Sequence, residues 1–481
     1  MMIDTVVRLP AEWEEQDAIL ISFPHKNSDW ANDLQSAISV FVRIASSIAT
    51  YQKLILICDD IESTKKLFCY THNIYFIKLD TNDTWIRDYG FISIYKNGVR
   101  EFIDFEFNAW GAKFDFNLDN KINEKLIKHR QIGSWLSTKN SFFNKKTSFS
   151  FNDDNKFAKK HFKPRQIGSW SSTKNSFFNK KTSFSFNDDK KFAKKHFKPP
   201  QIGGWSSKNS FFSKKTSFAF NGDKKITKKH FKPRQIGSWS STKNSFFSKK
   251  TSFSFNDDKK FSKKHPKPRQ IGSWSSTKIN FVLEGGSIES DGAGTIITTS
   301  KCLLNPNRNP SFSKQEIEHS LKSFFGLSRV LWLNHGELIG DDTDAHVDTL
   351  VRFVNKNTIV YVSCENRADE HYDELKKMKM ELESFRTIDD NPYQLVPLPL
   401  PSAKYKNNRR LPATYANFLI TNRSILLPIY QDDLDKDMIL LFKKLFSNRE
   451  IIPINSLRLI EESGSIHCLT MQLPSIQKKF N

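Results

Sequence analysis

The sequence predicts an α/β protein, and two observations carry that prediction. Apolar runs of strand length recur along both ends of the chain, and segments with helical spacing of apolar residues lie between them. A third observation sets its limits: the pattern is confined to residues 1–127 and 280–481, and the stretch between them is chemically different.

The first strand signal is Ala18-Ile19-Leu20-Ile21-Ser22-Phe23, an apolar run too short for a helix. From Asp33 to Thr50 the apolar residues return every three or four positions, which predicts a helix with one buried face. Leu54-Ile55-Leu56-Ile57 is the next strand. Beyond the central stretch, Thr295-Ile296-Ile297-Thr298 reads as a strand, Lys314–Phe325 as a helix, and Thr358-Ile359-Val360-Tyr361-Val362 as a strand. Strand and helix alternating in this way is the pattern of an α/β fold.

Residues 128–279 are an internal repeat. Gln-Ile-Gly-Ser-Trp recurs from Gln131, Gln166, Gln235 and Gln270, with a Gly204 variant from Gln201, and places indoles at Trp135, Trp170, Trp205, Trp239 and Trp274. The period is 35 residues, once shortened to 34 because a Thr is missing before Lys208. Each unit carries a Phe-Phe pair (Phe177-Phe178 in one copy), a Thr-Ser-Phe-Ser-Phe stretch and a Lys-rich run. Thr182–Phe186 alternates like a half-buried strand, but aliphatic residues are scarce. Fixing one residue's backbone costs about 1–2 kcal/mol. The insert is therefore expected to be mostly disordered rather than an aromatic-stacked β array.

The charge follows the same division. The insert holds 37 Lys or Arg, seven Asp and no Glu, a net of +30, so the other 329 residues carry −8 within a whole-chain value of +22. The global charge therefore describes neither part. Lys interleaved with Phe and Trp suits phosphate contact and base stacking. Any nucleic-acid or other anionic-polymer partner would thus be reached only through the insert, and a solvated expansion without function is the simpler expectation. The five cysteines (Cys58, Cys69, Cys302, Cys364, Cys468) are odd in number and irregularly spaced, with no CxxC pair, which argues against a disulfide framework or a structural zinc site. No signal peptide is visible, and no apolar run approaches the roughly 18–20 residues that span a bilayer, so a cytoplasmic setting away from membranes is expected.

Four segments concentrate reactive and turn-forming residues. They are Asp83-Thr84-Trp85-Ile86-Arg87-Asp88-Tyr89-Gly90, Leu283-Glu284-Gly285-Gly286, Gly340-Asp341-Asp342-Thr343-Asp344-Ala345-His346-Val347-Asp348, and Ser463-Gly464-Ser465-Ile466-His467-Cys468-Leu469-Thr470. Each has an ordinary reading when taken singly. Arg87-Asp88 fits a surface ion pair, Glu284-Gly285-Gly286 a turn, His346 and Asp348 a shared strand face, and Cys468 an inert buried thiol. A Cys with a distant His and carboxylates is also a nucleophile pattern.

Taken together and in order, these segments resemble the agmatine deiminase family of the guanidine-modifying, pentein-like superfamily. The resemblance also rests on Arg8-Leu9-Pro10-Ala11-Glu12-Trp13, Phe107-Asn108-Ala109-Trp110-Gly111, Leu283–Ile288, Cys302-Leu303-Leu304-Asn305-Pro306-Asn307-Arg308-Asn309-Pro310 and Tyr415-Ala416-Asn417-Phe418. It covers about two thirds of the chain and leaves the repeats outside. It implies a five-bladed α/β propeller with a central site, and hydrolysis of agmatine to N-carbamoylputrescine and ammonia in putrescine and polyamine synthesis, with no metal and no cofactor. By motif, Cys468 takes the nucleophile position, His346 the general acid and base, and Asp88 and Asp348 the carboxylates that grip a guanidinium, while Trp85 and Glu284 line the substrate site. The chemistry is coherent: carboxylates match a planar cation, and its poorly electrophilic carbon needs a thiolate. The thiolate would be favoured by a nearby cationic His or by the charge of the bound substrate, and both carboxylates would stay ionised beside a cation. Deimination of arginine or peptidyl-arginine, and a pseudoenzyme whose basic repeats bind anionic polymers, are the alternatives.

Two positions depart from the family pattern. Ser463-Gly464-Ser465 stands where three glycines are usual, and Ala345 where a Gly precedes the His. A positive φ at either site would strain Ser or Ala by roughly 1 kcal/mol or more.

Overall fold

The structure is a computed structural model that describes residues 6–128, short strands within 141–255, and residues 276–475. The chain divides into two compact units, Met1–Ile132 with Trp274–Asn481, and Gly133–Ser273.

The first unit begins with β1 (Val7–Arg8) and β2 (Gln16–Ser22), followed by α1 (Leu34–Tyr51), β3 (Lys53–Cys58) and β4 (Ile74–Lys78). A single helical turn, α2 (Ile86–Tyr89), precedes the hairpin of β5 (Ile92–Lys96) and β6 (Val99–Glu106), then α3 (Ile122–Lys128). The second unit contributes β7 (Ser141–Asn144), β8 (Thr147–Asn152), β9 (Ser176–Asn179), β10 (Thr182–Asn187), β11 (Ser210–Ser213), β12 (Thr216–Asn221), β13 (Phe246–Ser248) and β14 (Thr251–Phe255). The first unit resumes at β15 (Ser276–Val282), β16 (Ile288–Ser290), β17 (Thr295–Thr299), α4 (Lys314–Phe325) and β18 (Arg329–Leu333). After these come β19 (Val351–Asn355), β20 (Thr358–Ser363), α5 (Tyr372–Ser384), β21 (Gln394–Pro399) and the small hairpin β22 (Lys404–Lys406) with β23 (Arg409–Leu411). The chain closes with β24 (Leu419–Ile420), β25 (Ser424–Ile429), α6 (Asp435–Leu445), β26 (Glu450–Asn455) and β27 (Thr470–Pro474).

The local reasons match the sequence pattern. On α1, Ala37, Phe41, Ile44, Ala45 and Ile48 are buried, one stripe at helical spacing. Helix α4 opens on a capping box between Ser313 and Glu316 and ends at Gly326 with φ 65°. The runs expected as strands lie in β2, β3, β17 and β20, each almost wholly buried.

One motif recurs five times: an antiparallel strand pair, a helix, and a third strand parallel to the second. It is seen in β5-β6-α3-β15, β16-β17-α4-β18, β19-β20-α5-β21 and β24-β25-α6-β26. The fifth set joins the two ends of the chain: β27 pairs antiparallel with β2, which runs through α1 into parallel β3 and β4. The repeats enter within the first of these sets, between α3 and β15. Strand β15 starts at Ser276 and pairs with β6 from Phe102 onward, so the return into this unit precedes the boundary expected at residue 280.

In the second unit the described stretches are short strands, and the rest of the insert, on which the expectation of disorder falls, lies outside the described residues. Strands β8, β10, β12 and β14 form one parallel sheet, and β7, β9, β11 and β13 another, each copy in register with the next: Phe184 opposite Phe149 and Phe218, Ser183 opposite Ser148 and Ser217. The physical reason is the identity of the copies. Every strand finds an equivalent partner in the same register, so the backbone bonding of one pair serves for all. The five Gln-Ile-Gly-Ser-Trp-type phrases and the Lys-rich runs that follow Asn-Asp-Asp lie outside the described residues. Among the described residues, no helix is long and apolar enough to cross a membrane.

Candidate active site

The four segments singled out in the sequence converge. Gly286 marks the centre: a Cβ built there would lie 2.6 Å from His346 Nδ1, 2.9 Å from Asp88 Oδ1 and 3.2 Å from Asp348 Oδ2. Its neighbour Gly285 is needed for a different reason, since a Cβ there would lie 2.2 Å from the Arg87 carbonyl oxygen. The Glu284-Gly285-Gly286 turn thus passes close against the Arg87 backbone at one glycine and against three side chains at the next.

Asp88, on α2, accepts from the Gly286 backbone N–H at 2.9 Å and from Trp110 Nε1 at 3.0 Å, and lies 3.7 Å from His346 Nδ1. His346 is fully buried, and neither ring nitrogen has a hydrogen-bond partner. Burial works against its cation, but the Asp88 carboxylate and its other neighbours raise its pKa well above the usual range. Burial, reinforced by Asp348 and Glu284 and opposed by His346, pushes Asp88 up to about 6.

Cys468 sits just before β27, almost wholly buried. Asn417 Nδ2 donates to its sulfur at 3.3 Å, and the sulfur lies 3.8 Å from Asp348 Oδ2. Asn417 Oδ1 also accepts from the His467 and Cys468 backbone N–H groups at 3.0 and 3.4 Å, which fixes the turn carrying the thiol. Burial first, then the Asp348 and Asp88 carboxylates, push the thiol well above its usual range. These effects work against the thiolate and so oppose the help expected from a cationic His. Asp348 behaves differently from Asp88. Burial disfavours its charge, but the hydrogen bond and charge of His467, with His346 and Arg352, hold it below the usual carboxylate range.

Glu284 is fully buried and takes the Arg308 Nε proton at 3.0 Å on Oε1, while Oε2 has no hydrogen-bond partner. Trp85 stands at the start of α2, tilted against Trp30 with ring centroids 5.6 Å apart. Gly464 lies against its face, where a Cβ would come within 2.3 Å of the ring. Of the three residues that depart from the family pattern, Ala345 at φ 67° and Ser463 at φ 65° fall in left-handed backbone, and Ser465 does not.

Glu284, Cys302 and His346 are the only group among the described residues whose donor atoms come close enough together to hold a metal, within 4.8 Å of one another. Arg308 already neutralises Glu284, so we assign no metal to them. Sequence reasoning assigned no role to Trp110, Asn417, His467, Glu12 or Arg308. All lie in segments that carry the resemblance, but their contacts link positions tens to hundreds of residues apart and leave no local spacing signal.

The profile of the Porphyromonas-type peptidyl-arginine deiminase family matches residues 8–153 and 217–474. A Legionella pneumophila relative is 25% identical over 477 residues, spanning 98% of this chain and 95% of its own. The Pseudomonas fluorescens agmatine deiminase is 33% identical over 216 residues, and that match spans 41% of this chain and 58% of the relative's length. Among solved structures, a cysteine-to-serine variant of the C. jejuni agmatine deiminase with substrate bound superposes with a TM-score of 0.67 at 28% identity, covering 99% of each chain. With most of its length matched, and with the site assembled from the segments on which the resemblance rested, this chain belongs to the Porphyromonas-type peptidyl-arginine deiminase family.

Proposed function

We propose that the protein hydrolyses agmatine to N-carbamoylputrescine and ammonia through a covalent amidino-thioether on Cys468, a step of putrescine synthesis, within a five-bladed propeller built from the five ββαβ sets. The observation that carries the reading is the convergence on Gly286 of Asp88, His346 and Asp348, with the Cys468 thiol against Asp348.

Asp88 and the free oxygens of Asp348 and Glu284 form an anionic cradle that suits a guanidinium, and Trp85 supports its wall. The bound cation compensates the two carboxylates that hold the thiol protonated, so substrate binding itself favours the thiolate. The sulfur adds to the guanidinium carbon, and His346 gives its proton to the departing nitrogen. Ammonia leaves and the amidino-thioether remains. The neutral His346 then takes a proton from water, the hydroxide adds to the same carbon, and the C–S bond breaks to return the thiolate and release the ureido product. Proton transfer of this kind contributes about 10²- to 10⁴-fold.

Agmatine is favoured over arginine because the cations beside the site already have anionic partners. Arg308 holds Glu284 and Asp344, Lys113 holds Asp344, and Arg352 holds Glu12 and Glu289, so among the described residues around the cradle none of these is left for an α-carboxylate. The test is ammonia release from agmatine, arginine and a blocked arginine peptide side by side, with Cys468→Ala as control. Preference for agmatine that disappears in Cys468→Ala supports the reading. Preference for either arginine substrate overturns the assignment of substrate, and silence both with and without the insert points to a pseudoenzyme.

A further inference from the structure

Two parts of the sequence, the segment Arg8–Trp13 and the residue before Cys468, have no part in the chemistry above, yet they meet directly behind it. His467 Nδ1 lies 2.7 Å from Asp348 Oδ2, and its Nε2 lies 2.6 Å from Glu12 Oε2. All three side chains are buried. Carboxylates only accept, so both contacts together require a proton on each ring nitrogen. Glu12 is itself held by Arg352 Nη2 at 2.9 Å and by the Ile420 backbone N–H at 2.6 Å, with Arg87 Nη2 at 3.8 Å. The result for Asp348 is asymmetric: Oδ2 is tied to His467, while Oδ1 has no hydrogen-bond partner although it is buried.

We propose that His467, clamped by Glu12, is a positioning residue that holds Asp348 with one oxygen free for the guanidinium. The inference rests on the functional reading above and adds to it a residue that never touches substrate. It also accounts for a contrast between two carboxylates buried side by side. Asp88, with His346 3.7 Å away, has its affinity for protons raised, whereas Asp348, hydrogen-bonded to His467 at 2.7 Å, is held low. The groups that face Asp348 are His467, His346, Arg352, Arg87, Cys468 and Asp88. Without His467, burial and Asp88 oppose its charge, and His346, Arg352 and Arg87 remain in favour. The proton affinity of Asp348 must then rise, which adds a second ionisation to the acid limb of kcat/KM and makes that limb steeper.

The experiment measures kcat and KM for agmatine against pH in the full chain and in His467→Gln, His467→Ala and Glu12→Gln. Glutamine can still donate to Asp348 but carries no charge, so it separates placement from electrostatics. We expect KM to rise about tenfold or more in His467→Ala, with a smaller rise in His467→Gln, as is usual for groups that orient a contacting side chain. Both variants should steepen the acid limb, and displace it upward where Asp348 becomes the weaker acid of the two carboxylates, and Glu12→Gln should act in the same direction by less. An unchanged limb and KM in folded His467→Gln and Glu12→Gln overturns the proposal. So does an equal fall of kcat and kcat/KM with no change in the limb, which is the mark of general structural damage. Absence of agmatine turnover in the unaltered chain would instead refute the functional reading itself.

Discussion

Gly286 shows how little space the site leaves for change. A methyl group there would occupy the point from which His346, Asp88 and Asp348 are all reached within 3.2 Å. Displacing such groups by about 1 Å can cost 10²-fold in rate. Gly286→Ala should therefore lose roughly 10²-fold in kcat/KM while keeping its thermal midpoint within a few degrees. A variant with near-normal turnover would show that these side chains do not converge as described. Asp88 sets the acid side of the pH profile. Its group sits at about 6 in the empty site, so it loses its charge, and its grip on a cation, as pH falls through that value. The acid limb of kcat/KM is expected near 6, and that of kcat lower, because a bound guanidinium stabilises the carboxylate. Ser463 and Ala345 give a stability test. Left-handed backbone costs an L-residue about 1–2 kcal/mol, and glycine returns roughly 0.4–1 of that to the unfolded chain. Ser463→Gly should gain less than about 1 kcal/mol, since it also gives up the hydrogen bond that its hydroxyl accepts from Arg409 Nη1 at 3.1 Å. Ala345→Gly should stay near neutral, since it also loses a buried methyl worth about 0.8 kcal/mol. Both are read from thermal midpoints. At this scale the residues with reactive groups were legible in the sequence, because a Cys, a His and two carboxylates stand out in short phrases. Glu12 and His467 were not, because their meaning lies in a contact across 455 positions of chain.

At the scale of elements, the strands and helices that could be read ahead were those whose own residues decide them. Helix α4 has its capping box and terminal glycine, α1 its stripe, and β2 and β3 their apolar runs. The start of β15 escaped because Ser276-Thr277-Lys278 looks like the repeats around it, and only its pairing with Phe102–Asp104 on β6 makes it part of the first unit. In the repeats the alternation of Thr182–Phe186 could be read ahead and falls in β10, but pairing between near-identical copies leaves no signal within one copy. The start of β15 at Ser276 yields a prediction about excision. Removing residues 133–271 takes out four whole repeats, leaves a single Gln-Ile-Gly-Ser-Trp phrase, and spares all of α3 and β15. Removing 128–279 takes the last residue of α3 and the first four of β15, where four ladder positions with β6 are made. The first excision should fold and turn over agmatine within a few-fold of the full chain. The second should show a lower thermal midpoint and reduced activity, because β15 leads straight into Leu283-Glu284-Gly285-Gly286. Equal midpoints for the two would mean that the β15 pairing contributes nothing.

At the scale of the whole molecule, the charge division becomes a statement about substrate capture. Agmatine is a dication near neutral pH, and the full chain carries +22. Excision of 133–271 removes 34 Lys or Arg and seven Asp and leaves a net of −5. A net field of one sign changes the local concentration of a charged substrate, and salt cancels that change. The Debye length falls from about 30 Å at 0.01 M to about 8 Å at 0.15 M ionic strength. The two proteins should therefore respond to salt in opposite directions. In the full chain, screening relieves repulsion between like charges, so kcat/KM for agmatine should rise as salt is added. In the excised chain, screening weakens attraction, so it should fall. The carboxylates of the cradle are the same in both and contribute a common decline, which makes the difference between the two slopes the informative quantity. Parallel slopes would mean that the basic repeats have no electrostatic influence on the site. A slope reversed by excision would show that a segment with no part in the chemistry still governs how often the substrate arrives.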